Sequence, residues 1–361
     1  MIIGVPKEIK DGENRVAATP GGAHMLVTDG HTVIIETGAG LGSGITDAEY
    51  VHAGTVVAAT AADVYDRAEM ILKVKEPLPS EFPLLEPRHL LFTYLHLASS
   101  EQLTRALLRI GLTGIAYETI QLPDGRLPLL APMSEVAGKM ATQIGAWCLE
   151  KHQGGIGVLL GGVPGVPPAE VLIIGCGSVG TSAAKIASGM GAKVTVVDVN
   201  HERLRYLDDV LPGHVNTLYS TPYAIAEAAR TADLLIGAVL IPGALAPKLV
   251  SEAAVQGMRP NSVVLDVAID QGGCVETIHP TSHSDPIYFK HGVLHYAVPN
   301  IPAAVPRTST FALTNATLPY VRRLAALGVD EATAQDPSLA AGINVRGGEI
   351  VYPAVNEAFG W

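Results

Sequence analysis

Short apolar runs rich in Ile, Leu and Val recur along the chain, set apart by longer amphipathic stretches. In the first third they fall at residues 2–5, 32–36, 70–74, 90–95 and 114–117. Runs this short and this apolar predict strands buried on both faces. The stretches between them carry helix signals. Thr19-Pro20 pairs an N-cap with proline at the first helical position. Ser99, with Gln102 three residues on, has the spacing of a capping box. Strands alternating with helices imply a parallel sheet covered on both sides. The pattern then repeats at residues 171–174, 194–197, 234–236, 263–267 and 293–298. A helix over residues 134–152, with Val136, Met140, Ile144 and Trp147 on one face, joins the halves. A loop over 154–168 follows it. Another helix is predicted from Pro306 to about Ala326, and residues 343–351 read as a hairpin turning at Gly347-Gly348. This tail is expected to return to the first sheet. The expected organisation is therefore two doubly wound α/β domains with a cleft between them and a helical hinge. Residues 1–128 completed by 307–361 form one, and residues 129–306 the other.

The second half opens with a specific signature, Gly175-Cys176-Gly177-Ser178-Val179-Gly180. An apolar β-branched run precedes it, and an Ala-rich helical stretch over 181–191 follows. The next strand ends in Asp198, 18 residues after Gly180. With 38 glycines in the chain, the spacing alone would mean little. Its strand–turn–helix context points to a Rossmann-like site for an adenine dinucleotide. Gly175 allows the sharp turn, Gly177 lets backbone N–H groups approach the pyrophosphate, and Gly180 lets the helix pack against the sheet. Asp198 is placed to accept hydrogen bonds from the adenosine ribose and to repel a 2′-phosphate, which favours NAD over NADP.

Composition narrows the function. At 361 residues the chain suits two domains. Only 16% of residues are charged against 48% apolar, which hints at a subunit interface in addition to two cores. A formal charge of −11 disfavours nucleic acid or an anionic membrane as partner. A strand predicted from the first residue leaves no room for a signal peptide, and no apolar run is long enough for a membrane span. Cys148, Cys176 and Cys274 are odd in number and far apart, as expected of reduced thiols in a cytoplasmic protein. Cys176 sits inside the glycine loop, where a small side chain is all the position needs.

In open parallel sheets, ligands bind beyond the carboxyl ends of the strands. That rule selects Arg15 after the first strand, Lys75 and His96 at the ends of two others, and Asp270 past the strand over 263–267. Arg15 can grip a carboxylate bidentately, and Lys75 can bind a carboxylate or polarise a carbonyl. His96 can pass a proton to or from substrate, and Asp270 can steer a cationic intermediate or a water. Taken singly, each is as readily a solvated charge, a buried imidazole or a turn residue; their shared placement is the signal. Together they fit a small 2-oxo or 2-amino acid exchanging hydride with NAD. His279, His283, His291 and His295 have metal-like spacings but lack the companion ligands of a zinc site. No nucleophile elbow or phosphate-binding G-x-x-x-x-G-K-[ST] loop is present.

These features bring the chain close to a known family. Gly4-Val-Pro-Lys-Glu8, Glu13-Asn-Arg15-Val-Ala, Lys73-Val-Lys75-Glu-Pro77, Tyr94-Leu-His96, Met133-Ser134-Glu-Val-Ala-Gly138 and Val298-Pro-Asn300-Ile-Pro302 resemble the alanine dehydrogenase family along nearly the whole chain. That family shares its signatures with the NAD-binding part of proton-translocating transhydrogenase. The resemblance implies substrate binding by Arg15 and Lys75 and catalysis by His96 and Asp270. It implies NAD contacts at Ser134, Ser178, Val179, Asp198, Arg203, Ser220, Val239, Leu240, Val267 and Asn300. It further implies reversible oxidative deamination of L-alanine to pyruvate and ammonium, by a homohexamer. The alternative is a soluble NAD-binding subunit of a transhydrogenase, which would need a membrane partner. Cys176 and Ser178 stand where the family more often has small apolar residues.

Overall fold

A computed structural model describes residues 1–239 and 246–361. The chain divides into two compact units, one made of Met1–Met133 with Ala303–Trp361 and the other of Ser134–Pro302.

The first unit is built on an eight-stranded sheet. Its strands are β1 (Ile2–Val5), β2 (Thr32–Glu36), β3 (Val56–Ala58), β4 (Met70–Leu72), β5 (Leu90–Thr93) and β6 (Thr113–Ala116). The second unit carries β7 (Glu170–Ile174), β8 (Lys193–Asp198), β9 (Val215–Tyr219), β10 (Leu234–Gly237), β11 (Val263–Asp266), β12 (Ile287–Lys290) and β13 (Val293–Tyr296). The chain then returns to the first sheet with β14 (Ile343–Arg346) and β15 (Glu349–Ile350).

The first sheet runs in the order β15-β14-β6-β5-β4-β1-β2-β3, and the second β12-β13-β11-β10-β7-β8-β9. All pairings are parallel except β12 with β13, β14 with β15, and β14 with β6. Both units are thus doubly wound, as the apolar pattern predicts. In the first, the winding reverses between β1 and β4; in the second, between β7 and β10. Loops after those strands are where ligands bind in such folds.

Alternation within each strand explains the layering. Val171 and Ile173 of β7 join one buried cluster, while Leu172 and Ile174 join the other. Leu234 and Ile236 of β10 divide from Leu235 in the same way. Both faces are dry, so the strands read as continuous apolar runs.

Several local boundaries differ from expectation, each for a visible reason. The linking helix spans Ala131–Cys148, because Pro132 fits its first turn and a 3₁₀ turn replaces the helix at Lys151–Gln153. Ser100 rather than Ser99 caps the helix Glu101–Ile110, accepting from the Leu103 N–H at 3.3 Å. Ser99 lies in a preceding 3₁₀ turn. The helix that starts at Pro306 breaks at Gly328, whose φ of 73° and ψ of 173° are non-helical, close to the expected end, and a second helical stretch follows it to Gln335. The strands β3, β9 and β12, absent from the apolar pattern, are all sheet edges, where one flank meets no neighbour. Tyr219 of β9 and Phe289 of β12 are each about half exposed.

Candidate active site

The first unit gathers three of the selected residues past neighbouring strands. Arg15, in the loop after β1, is 2% exposed. Glu13 holds its guanidinium bidentately, with Nε donating to Oε1 at 2.7 Å and Nη2 to Oε2 at 2.6 Å. Burial opposes the Arg15 charge, but the Glu13 carboxylate outweighs it and the pKa is raised. The result is a fixed cation whose plane is set by its own loop.

Lys75 follows β4, on the far side of the winding reversal from Arg15. Its carbonyl accepts the Thr93 hydroxyl at 3.0 Å, and its N–H donates to Glu8 Oε1 at 3.3 Å. The other lysine of the same segment behaves differently. Lys73 is fully buried and paired with Glu8 at 3.1 Å and Glu81 at 2.8 Å. Burial opposes its charge as well, and the two carboxylates hold its pKa raised.

His96 lies just past β5 in the left-handed region, at φ 49°. A non-glycine residue there needs support. Glu118 supplies it: Oε1 accepts the His96 N–H at 2.6 Å and lies 3.3 Å from Nδ1. The side chain of His96 remains 40% exposed. Tyr94 packs beside it at 5.7 Å between ring centroids.

In the second unit the glycine loop joins β7 to the helix Ser178–Gly189. Gly175 turns at φ 102°, and a Cβ there would lie 2.7 Å from the Ala238 carbonyl beyond β10. A Cβ on Gly180 would come within 1.8 Å of the Gly175 carbonyl, so only glycine lets this helix sit so close to the strand. Gly177 is the N-cap, and a Cβ there would meet only Arg203 Nη1, at 4.0 Å. The first turn of the helix is therefore open where a pyrophosphate would approach, with a guanidinium at its flank. These residues fit a dinucleotide.

Asp198 ends β8 and is 9% exposed. One carboxylate oxygen accepts the Cys176 N–H at 2.6 Å and the other the Asn200 N–H at 2.8 Å. It therefore ties the glycine loop to the adjacent strand. Ser220 follows β9, its N–H donating to the Asp198 carbonyl at 3.0 Å. Val239 follows β10, while Val267 and Asp270 lie on the 3₁₀ turn Val267–Gln271 after β11. Asp270 is exposed, and its Oδ2 accepts the Asn300 N–H at 3.4 Å. Exposed Ser178 and buried Val179 open the helix after the loop, and Ser134 is half-buried on the helix Ala131–Cys148. Leu240 lies outside the described residues.

Glu8, Glu13 and Glu118 escaped the sequence reading. The first two sit inside quoted motifs; Glu13 is two residues from the Arg15 it holds, whereas Glu8 is more than 60 residues from Lys73, Val74 and Lys75. Glu118 is 22 residues from His96 and had no local signal. Cys176 is a buried thiol whose pKa is pushed up by that burial. His291 pairs with Glu252 at 2.5 Å, and His295 sits between the Thr277 hydroxyl and the Val293 carbonyl. Among the described residues no cluster of three or more metal-binding side chains occurs, and no helix is long and apolar enough to cross a membrane.

The family described as Alanine dehydrogenase/PNT matches twice, its N-terminal domain over residues 4–137 and its C-terminal domain over 141–353. The chain belongs to this family. Alanine dehydrogenase of Methanococcus maripaludis is 62% identical over 359 residues, covering 99% of this chain and 96% of that protein. The Bacillus subtilis alanine dehydrogenase is 57% identical over 363 residues, covering 100% and 95%. A solved structure named L-alanine dehydrogenase superposes with a TM-score of 0.96 at 55% identity, covering 100% of this chain and 99% of its own. The transhydrogenase from Sinorhizobium meliloti is more distant within the same fold, with a TM-score of 0.83 at 26% identity and coverage of 98% and 100%.

Proposed function

We propose that this chain is an alanine dehydrogenase, catalysing the NAD-dependent, reversible oxidative deamination of L-alanine to pyruvate and ammonium. Full-length identity of 62% to a protein of that name carries the reading. NAD, when bound, supplies the hydride acceptor for the alanine α-carbon.

The residues divide the remaining work. Gly175, Gly177 and Gly180 shape the loop for the pyrophosphate, with Ser178, Val179 and Arg203 around it. Asp198 receives the adenosine ribose, and Ser134, Ser220, Val239, Leu240, Val267 and Asn300 line the rest of the dinucleotide. Arg15 binds the substrate carboxylate as a preset fork, and Lys75 binds the substrate beside it. Loss of hydride from the α-carbon of the neutral amine leaves a substrate iminium cation. Water adds to its carbon with His96 as base, and His96 returns the proton as ammonia departs. Asp270 stabilises the positive charge carried on nitrogen during these steps. We assign substrate binding to residues 1–128 with 307–361 and NAD binding to 129–306. The working form is read as a cytoplasmic homohexamer.

The decisive assay follows NADH absorbance with purified protein, testing alanine against other small amino acids. Turnover with alanine alone in solution supports the reading; dependence on a membrane partner would favour the transhydrogenase alternative. Arg15→Ala and Lys75→Ala should bind NADH normally by fluorescence yet fail with pyruvate. Equal loss of NADH binding in both would remove them from the substrate role. Light scattering on the purified protein tests the assembly: a mass other than six chains of 37.6 kDa rejects the hexamer.

A further inference from the structure

The first sheet reverses its winding between β1 and β4, and the pairing of these two strands is short. The β1–β4 register covers only Ile3 with Met70 and Gly4 with Ile71. Beyond it β1 ends, at Val5, and the Glu8 side chain meets the backbone that follows β4. Its Oε1 accepts the Val74 N–H at 2.5 Å and the Lys75 N–H at 3.3 Å. Its Oε2 takes the Lys73 ammonium at 3.1 Å. Lys73 in turn reaches Glu81 at 2.8 Å. Glu81 accepts the Tyr65 hydroxyl at 2.9 Å and the Leu78 N–H at 2.8 Å.

This network is an expensive way to fill a core. Glu8, Lys73 and Glu81 have side-chain exposures of 3%, 0% and 5%. Three ionisable groups so deeply buried carry a desolvation cost that apolar side chains of equal volume would avoid, so packing alone does not call for them. What hydrocarbon cannot do is accept two successive backbone N–H groups at a strand end.

We propose that Glu8 is a positioning residue for Lys75: it extends the β-ladder with a side chain, and Lys73 fixes the carboxylate that does so. Lys73 is thereby the structural lysine of the Lys73-Val74-Lys75 segment, and Lys75 the one presented to substrate. The inference rests on the substrate role proposed for Lys75.

Glu8→Gln tests it. An amide offers one acceptor oxygen, so it can satisfy the backbone N–H groups or Lys73, not both. Hydrogen–deuterium exchange at the Val74 and Lys75 amides should rise at least about tenfold. The KM for pyruvate should rise about 10- to 100-fold, the scale of a small misplacement of a binding group, with NADH affinity unchanged. Glu81→Gln disturbs the same buried charges without touching Val74 or Lys75 and should leave both readouts near wild type. Glu8→Asp, which keeps the charge but withdraws the carboxylate by one methylene, should behave as Glu8→Gln does and serves if that variant misfolds. Unchanged exchange in the Glu8 variants overturns the proposal, as does faster exchange with an unchanged pyruvate KM. Equal effects from Glu81→Gln also overturn it, because the network would then be merely structural. A Lys75→Ala enzyme with wild-type pyruvate kinetics would instead refute the role of Lys75 itself, a separate outcome.

Discussion

Glu118 holds His96 at two points, accepting its backbone N–H at 2.6 Å and facing its Nδ1 at 3.3 Å. One carboxylate therefore both supports a left-handed backbone and selects the ring tautomer. With Nδ1–H donating to Glu118, Nε2 is the nitrogen left to exchange protons with substrate. Removing the imidazole and removing its support should have graded effects. His96→Ala should lower alanine oxidation and pyruvate amination by roughly 10²-fold or more, the scale of general acid–base catalysis. Glu118→Ala should lower both by a smaller factor, about tenfold, because the ring remains but is no longer held. NADH binding by fluorescence should be normal in both. Wild-type rates in His96→Ala would send the proton by another route, with Asp270 or an ordered water next in line.

Cofactor choice should follow the charge on Asp198. Since its carboxylate also holds the Cys176 and Asn200 N–H groups, Asp198→Asn is a gentler probe than alanine. The expected change in discrimination is about 1–3 kcal/mol, or roughly 5- to 150-fold in the NAD to NADP ratio of kcat/KM. An unaltered ratio would show that Asp198 acts only on the loop.

Two glycines of the same loop should fail in different ways. A Cβ at position 180 collides with the Gly175 carbonyl at 1.8 Å, whereas one at position 177 meets nothing nearer than 4.0 Å. Gly180→Ala should therefore lower thermal stability, by about 1–3 kcal/mol for an overpacked contact, and weaken NADH with it. Gly177→Ala should melt like wild type and still lose NADH affinity, because the methyl group occupies the space meant for the pyrophosphate. Normal NADH binding in Gly177→Ala would place the cofactor elsewhere.

His295 makes the second unit sensitive to acid. Burial on β13 pushes its pKa down from the ordinary imidazole value of 6.5 to about 4. Above the unfolded pKa both states are neutral and the residue has no effect. As pH falls below it, the unfolded chain takes up the proton first, and stability drains away until the folded pKa is passed. Two to three pKa units correspond to a loss of about 3 kcal/mol. Melting temperature should fall between about pH 6.5 and 4, and His295→Gln should flatten that part of the curve. An equal slope in the variant would assign the acid sensitivity to other groups.

Central strands and the dinucleotide loop were legible because both are tightly constrained. β7, β10 and β11 are dry on both faces, so their sequences could not hide, and Gly175 and Gly180 sit where a Cβ would strike backbone, with Gly177 between them at a fixed spacing. Edge strands such as β9 and β12 bury less and left no continuous apolar run. Arg15, Lys75, His96 and Asp270 could be chosen by their places after strands. Glu118 and Glu8 could not, because the pairing of Glu118 with His96 or Glu8 with Val74 arises only when separate strands are laid side by side. Long-range pairing of this kind has no spacing to read.

The antiparallel seat of β14 against β6 bears on how the molecule is made. During translation, Ser134–Pro302 leaves the ribosome as one uninterrupted stretch and has every strand of its sheet in hand. The earlier-made unit must wait, its β6 flank open, until Ile343–Arg346 emerges. An uncovered β6 is a template for the wrong partner during that interval. Nascent chains halted before Ile343 should therefore be the ones that chaperones hold and that self-associate, and the unit born first is the one finished last.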